Sequence, residues 1–63
     1  MRIDRFKLTT ELMRRDMTQK QLAEKAGVSR VTVNSIKSGR SCSEEVGKKI
    51  AKALGVDVTE IIE

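Results

Sequence analysis

TQKQLAEKAGVSRVTVNSIKSGR, residues 18–40, holds the boundaries of two short helices within a few turns of chain. Thr18-Gln19-Lys20-Gln21 has the form of a capping box, with the Thr18 hydroxyl set for the amide three residues on and Gln21 able to reach back. Met17 and Leu22 occupy the two positions of a hydrophobic staple. A second helix is therefore expected from this cap to Ala26, where Gly27 supplies a left-handed stop. Ser29 is the next N-cap, and a third helix runs from Arg30 to about Ser38, closed by Gly39.

Only Gly27, Val28 and Ser29 separate these helices. This is the spacing of a helix-turn-helix, in which two helices pack at roughly 90 to 120° and the second is offered to the DNA major groove. Leu22, Ala23 and Ala26 read as the inner face of the second helix, completed by Val28, Val33 and Ile36. At about 100° per residue, Val33 and Ile36 fall on one side of the third helix and Val31, Asn34, Ser35 and Ser38 on the other. Arg30 sits in its first turn, where recognition helices reach base edges. Arg30 suits a guanine, Asn34 an adenine and Val31 a thymine methyl, although each is equally a solvated surface residue in isolation.

Outward from this stretch the chain continues in short helices. About Asp4 to Arg15 forms the first, with Leu8, Leu12 and Met13 at helical intervals and Phe6, the only aromatic, read as core. Ser43 caps a fourth, with Glu44 and Glu45 in its first turn where negative charge suits the helix dipole, and Gly55 ends it. Ile50, Ala51 and Leu54 are its core residues. Asp57 caps a last short turn with Glu60 three residues on. The expected fold is all-α, five short helices in one domain over residues 1–63. Cys42, between Gly39 and the Ser43 cap, reads as a small buried packing residue rather than a redox switch; no second Cys and no His exists to make a redox couple.

At 63 residues, with 38% hydrophobic and 35% charged side chains, the chain can enclose a small core but not a buried multi-residue catalytic pocket. It has no His, Trp, Tyr or Pro and a single Cys. Histidine acid-base chemistry, Cys/His zinc sites, an internal disulfide and aromatic stacking platforms are thereby excluded, and no cofactor is expected. Glu44 and Glu45 are adjacent on one helix and do not face each other across a site, so an enzyme is the least supported class. No apolar run approaches the roughly 20 residues of a membrane span, and the N-terminus lacks the apolar core of a secretory signal. With one Cys, this points to a cytoplasmic protein. The net charge of +4 is uneven: residues 1–17 carry +2, residues 18–42 carry +4 and residues 43–63 carry −2. A basic middle segment suits a polyanionic partner.

Thr-Gln before Leu-Ala, then Ala-Gly-Val-Ser, then Ile-Lys-x-Gly-Arg, followed by KKIAKALGVDVTEII at residues 48–62, resembles the Cro and lambda-repressor class of helix-turn-helix domains, the XRE family. The resemblance covers essentially the whole chain. It implies a transcriptional regulator that binds double-stranded operator DNA. Ser29, Arg30, Val31 and Ser35 match the family's base-reading positions, Asn34 and Lys37 fall where backbone contacts are made, and Gln19, Arg40 and Ser41 match positions that hold phosphates. Asn34 is counted with the base readers for its adenine-matching amide, and Thr18 and Lys20 with the phosphate contacts beside Gln19. Some of Val56, Val58, Ile61 and Ile62 must finish the core, and the resemblance implies that the rest, especially Val58 and Ile62, form a homodimer contact; the alternative is that all four are internal.

Two positions depart from the family pattern. An acidic residue near the end of the third helix that pairs with an arginine of the first is replaced by Lys37 and Leu12. Lys37 is left to meet Glu11 or Asp16, or to join the phosphate-facing surface. Glu44 and Glu45 stand where some relatives present basic residues, which argues against minor-groove contact there. With no segment left for a sensor, a phage Cro-like or mobile-element repressor is the expected type. An antitoxin with a toxin partner, or a restriction-modification controller, would share the fold. A protein-interaction module is the rival from another class, distinguished by weak salt dependence.

Overall fold

Every helix of the chain starts at a short polar side chain that accepts backbone amides left free by the first turn. The computed structural model describes residues 1–63 and orders them as α1 (Arg5–Arg14), α2 (Gln19–Ala26), α3 (Arg30–Lys37), α4 (Glu44–Leu54) and a 3₁₀ turn, Val58–Glu60. Asp4 accepts from the amides of Phe6 and Lys7 at 2.9 and 3.1 Å. The Thr18 box is complete: the Gln21 amide donates to Thr18 Oγ1 at 3.1 Å, and the Thr18 amide donates to Gln21 Oε1 at 2.8 Å. Ser29 and Ser43 cap α3 and α4 through the amides of Thr32 and Val46.

The helices also share one way of stopping. After α2 the Gly27 φ of 73° turns the chain left-handed, and the Val28 amide closes back on the Ala23 carbonyl at 3.0 Å. Gly39 and Gly55 repeat this after α3 and α4. At the end of α1 the same closure, Met17 N–H to Leu12 C=O at 2.9 Å, is made through Asp16 at φ 51°. Aspartate is among the few side chains that tolerate the left-handed region, so this stop carries no glycine to announce it.

The core consists of Ile3, Leu8, Leu12, Leu22, Ala23, Val33, Ile36, Ile50, Ala51, Ala53, Leu54 and Ile61, with no buried polar residue. Helix α2 packs on both α3 and α4, α1 packs on α3, and the 3₁₀ turn packs on α4. The two ends of the chain close the structure. Ile3 and Ile62 form an antiparallel bridge, the Asp4 amide donates to the Ile61 carbonyl at 2.7 Å, and the Glu63 amide donates to the Arg2 carbonyl at 3.1 Å. On the other side of the same segment, Met1 exchanges two hydrogen bonds of 2.8 Å with the backbone of Cys42. The Met1 thioether lies against the Gly47 backbone, where a side chain would displace the flexible end of Met1.

Four expectations are corrected. The fifth helix is a single 3₁₀ turn, because the Asp57–Glu60 capping box organises only one turn before residues 61–63 leave to pair with residues 2–4. Phe6 is 72% exposed. Leu8 and Leu12 define the inner face of α1, and Phe6 precedes Leu8 by two residues, about 200° around the helix. Its ring instead carries the Arg5 guanidinium, 5.3 Å from the centroid, and Ile3 fills the core at this end. Met13 is likewise exposed. Cys42 packs at the rim of the core but is only half-buried, and burial raises its thiol pKa against the opposing pull of the terminal ammonium.

Leu22→Ala should cost about 2 to 5 kcal/mol, the range for emptying a leucine site in a packed core, whereas Phe6→Ala should stay within about 0.5 kcal/mol. Urea denaturation followed by circular dichroism measures both.

Candidate nucleic-acid interface

The three-residue turn between α2 and α3 is held from both sides. Gly27 ends one helix in the left-handed conformation, Ser29 begins the next, and half-buried Val28 packs against the core between them. The direction of α3 is therefore set by Leu22 and Ala23 on α2 and by Val33 and Ile36 on α3, all buried. With those two residues inward, α3 leaves Arg30, Val31 and Asn34 exposed and Ser35 half-buried on the other side.

These side chains are largely uncommitted. Arg30 has no carboxylate within ion-pair distance, and the Asn34 side chain makes no hydrogen bond within the chain. Val31 is 73% exposed, at a helical position where an apolar side chain gains nothing from the protein itself. Ser29 differs from the others. Its hydroxyl accepts from the Thr32 amide at 3.1 Å and lies 2.9 Å from the Thr32 hydroxyl, so the structure gives it a capping role first.

Around this exposed face lie the positions matched to backbone contacts. Thr18 caps α2, with Gln19 half-buried and Lys20 exposed behind it. Thr18, Gln19, Asp16 and Lys37 line one shallow depression where the end of α1, the start of α2 and the end of α3 converge. Lys37 makes no salt bridge. Glu11 instead pairs with Arg14 at 3.4 Å and with Arg15, which leaves the Lys37 ammonium in this depression. Arg40 and Ser41 are exposed in the segment joining α3 to α4, and the Arg40 amide closes on the Ser35 carbonyl at 3.0 Å. Glu44 and Glu45 occupy the first turn of α4, with Glu45 paired to Lys49 at 3.3 Å.

At the C-terminal end, Val56, Val58 and Ile62 are half-buried, while Ile61 is fully buried in the core. The candidate dimer contact therefore narrows to the first three. The Asp57 carboxylate beside them accepts from the Thr59 amide and hydroxyl, both at 2.9 Å, which holds its pKa below the ordinary aspartate value. One residue absent from the sequence reading touches the α3–α4 segment: the Arg2 guanidinium donates to the Gly39 carbonyl at 2.7 Å. The two lie 37 positions apart in sequence, and no local motif signals the contact.

No helix is long and apolar enough to cross a membrane. A family model described as helix-turn-helix matches residues 10–61. Two similar solved structures are a mutant of hydroxyethylphosphonate dioxygenase, with a TM-score of 0.88, and native PhpD with cadmium atoms, with a TM-score of 0.85. Each is 27% identical over all of this chain, which spans 14% of the length of either protein. No curated protein sequence matches.

Ser29→Ala should destabilise the protein by about 1 kcal/mol, the usual cost of a lost N-cap, whereas Ser29→Asp should retain most of the stability. A urea midpoint series on the two variants reads the difference.

Proposed function

The chain belongs to the helix-turn-helix family of XRE-type DNA-binding regulators, and from that premise we propose that it is a sequence-specific repressor of the Cro-like or mobile-element type. In this reading it works in the cytoplasm, without a catalytic step, by occupying a near-palindromic operator as a homodimer and so excluding polymerase. The observation that carries the proposal is the outer face of α3. Arg30, Val31 and Asn34 are exposed together on a helix whose opposite face is wholly committed to the core, and neither polar side chain has a partner within the chain.

The roles divide by chemistry. Arg30 offers a two-pronged donor for a guanine edge, Asn34 a donor and an acceptor for adenine, and Val31 an apolar surface for a thymine methyl. Gln19, Lys37, Arg40 and Ser41, with Thr18 and Lys20, would hold phosphates and fix the register in which the reading residues meet the bases. Ser29 and Ser35 supply the edges of that face. Val56, Val58 and Ile62 would join two copies, placing the two recognition helices roughly 34 Å apart.

A second reading rests on a specific observation. The same fold makes up 14% of a dioxygenase chain, so it is also carried by a protein with a different named activity. Fold alone does not fix function. If this chain were a protein-interaction module, its affinity for a partner would depend weakly on salt. DNA binding through several phosphates would fall steeply with salt, by about 10³-fold or more between 50 and 200 mM when six or more phosphates are held.

Arg30→Ala should lower affinity by about 1 to 3 kcal/mol and relax preference at one position of each half-site, whereas Lys37→Ala should weaken all duplexes about equally and reduce the salt slope by about one. Fluorescence anisotropy on a panel of single-substitution duplexes separates these outcomes; identical behaviour of the two variants contradicts the division of roles. Ile62→Asp should halve the mass seen in sedimentation while circular dichroism stays helical. An unchanged mass excludes this surface as the dimer contact.

A further inference from the structure

Residues 1–4 run as an extended strap between two parts of the chain that are distant in sequence. One edge of the strap pairs with residues 61–63, through the Ile3–Ile62 bridge and the Asp4–Ile61 and Glu63–Arg2 hydrogen bonds. The other edge meets the α3–α4 segment, where the Cys42 amide donates to the Met1 carbonyl at 2.8 Å. Arg2 bridges both. Its Nη2 donates to the Gly39 carbonyl at 2.7 Å, and its Nε lies 3.7 Å from the Glu63 carboxylate.

Backbone hydrogen bonds hold the two ends of the segment, the Arg40 amide on Ser35 and the Met1 pair on Cys42, and between them Arg2 is the side chain that reaches it from outside. Gly39 turns left-handed at φ 95°, Arg40 and Ser41 are exposed, and only half-buried Cys42 packs against the core. Resting on the DNA-binding function proposed above, we infer that Arg2 is a positioning residue. By clamping the Gly39 carbonyl it holds residues 39–42 in the shape that presents Arg40 and Ser41 to the DNA backbone. A guanidinium suits this task because its planar fork can serve a carbonyl and a carboxylate at once. The alternative for an exposed arginine at this place is direct contact with a phosphate, and the two roles differ in their coupling to Arg40.

The test uses the full chain with Arg2→Ala, Arg2→Lys, Arg40→Ala and the Arg2→Ala/Arg40→Ala pair. In the free protein, amide hydrogen exchange at Cys42 should quicken about two- to fivefold in Arg2→Ala, the scale of losing one exposed charged contact, while α2 and α4 core amides stay unchanged. Arg2→Lys, which keeps a donor for the Gly39 carbonyl, should restore part of the protection. Duplex affinity should fall about two- to fivefold in Arg2→Ala, and the same substitution should cost no more in the Arg40→Ala background. Unchanged exchange at Cys42 overturns the clamp whether or not the protein binds DNA. Additive losses in the pair overturn positioning in favour of a direct contact, and quickened exchange with unchanged affinity overturns the link to binding. Failure of the unsubstituted chain to bind any duplex overturns the proposed function itself, and is distinguished from failure of the clamp because the exchange measurement needs no DNA.

Discussion

The placement of α2 is the constraint on which the rest of the molecule depends. Its two buried residues, Leu22 and Ala23, bring one short helix against both α3 and α4. A methyl at residue 23 is small enough for close helix approach, and the leucine beside it supplies most of the apolar area that α2 removes from water. Eight residues form a marginal helix in isolation, so α2 and α3 owe their stability to this packing and to their caps rather than to propensity. Once α2 is seated, the three-residue turn leaves α3 little freedom. Val33 and Ile36 go inward, and the residues between them have nowhere to point but outward.

That geometry explains how so small a chain offers a chemically specific surface. With every buried residue apolar or glycine, no buried polar group competes for stability, and the polar side chains are released to the outside. The basic middle segment, +4 over residues 18–42, contains Arg30, Lys37 and Arg40, none of which makes a salt bridge. Residues 43–63 carry −2, so charge is polarised along the chain. The acidic residues at the start of α4 suit the positive end of their own helix dipole, and Glu45 is paired within that helix to Lys49.

Much of the fold was legible because its punctuation is local. Thr18, Ser29, Ser43 and Asp57 are caps recognisable from a few neighbouring residues, and Gly27, Gly39 and Gly55 mark left-handed stops. The exposed face of α3 followed from periodicity alone. What escaped was set by longer-range or ambiguous chemistry. Asp16 takes a left-handed stop that aspartate only occasionally adopts, so nothing at residues 14–17 distinguishes it from a capping or solvated acid. The apolarity of Phe6 points inward, yet the phase of α1 is set by Leu8 and Leu12, and the buried position at that end belongs to Ile3. Ile61 and Ile62 look alike in sequence. The backbone pairing with residues 2–4 turns the first into the core and leaves the second half-exposed. Arg2 was invisible for the same reason, since its partners are Gly39 and Glu63.

The central claim is that the outer face of α3 reads base sequence. Selection of this protein's ligands from a library of random duplex DNA at physiological salt, followed by sequencing, tests it most directly. The account predicts enrichment of a near-palindrome whose half-site centres lie about 10 to 10.5 base pairs, or one helical turn, apart. Recovery of duplexes with no enriched motif would contradict it.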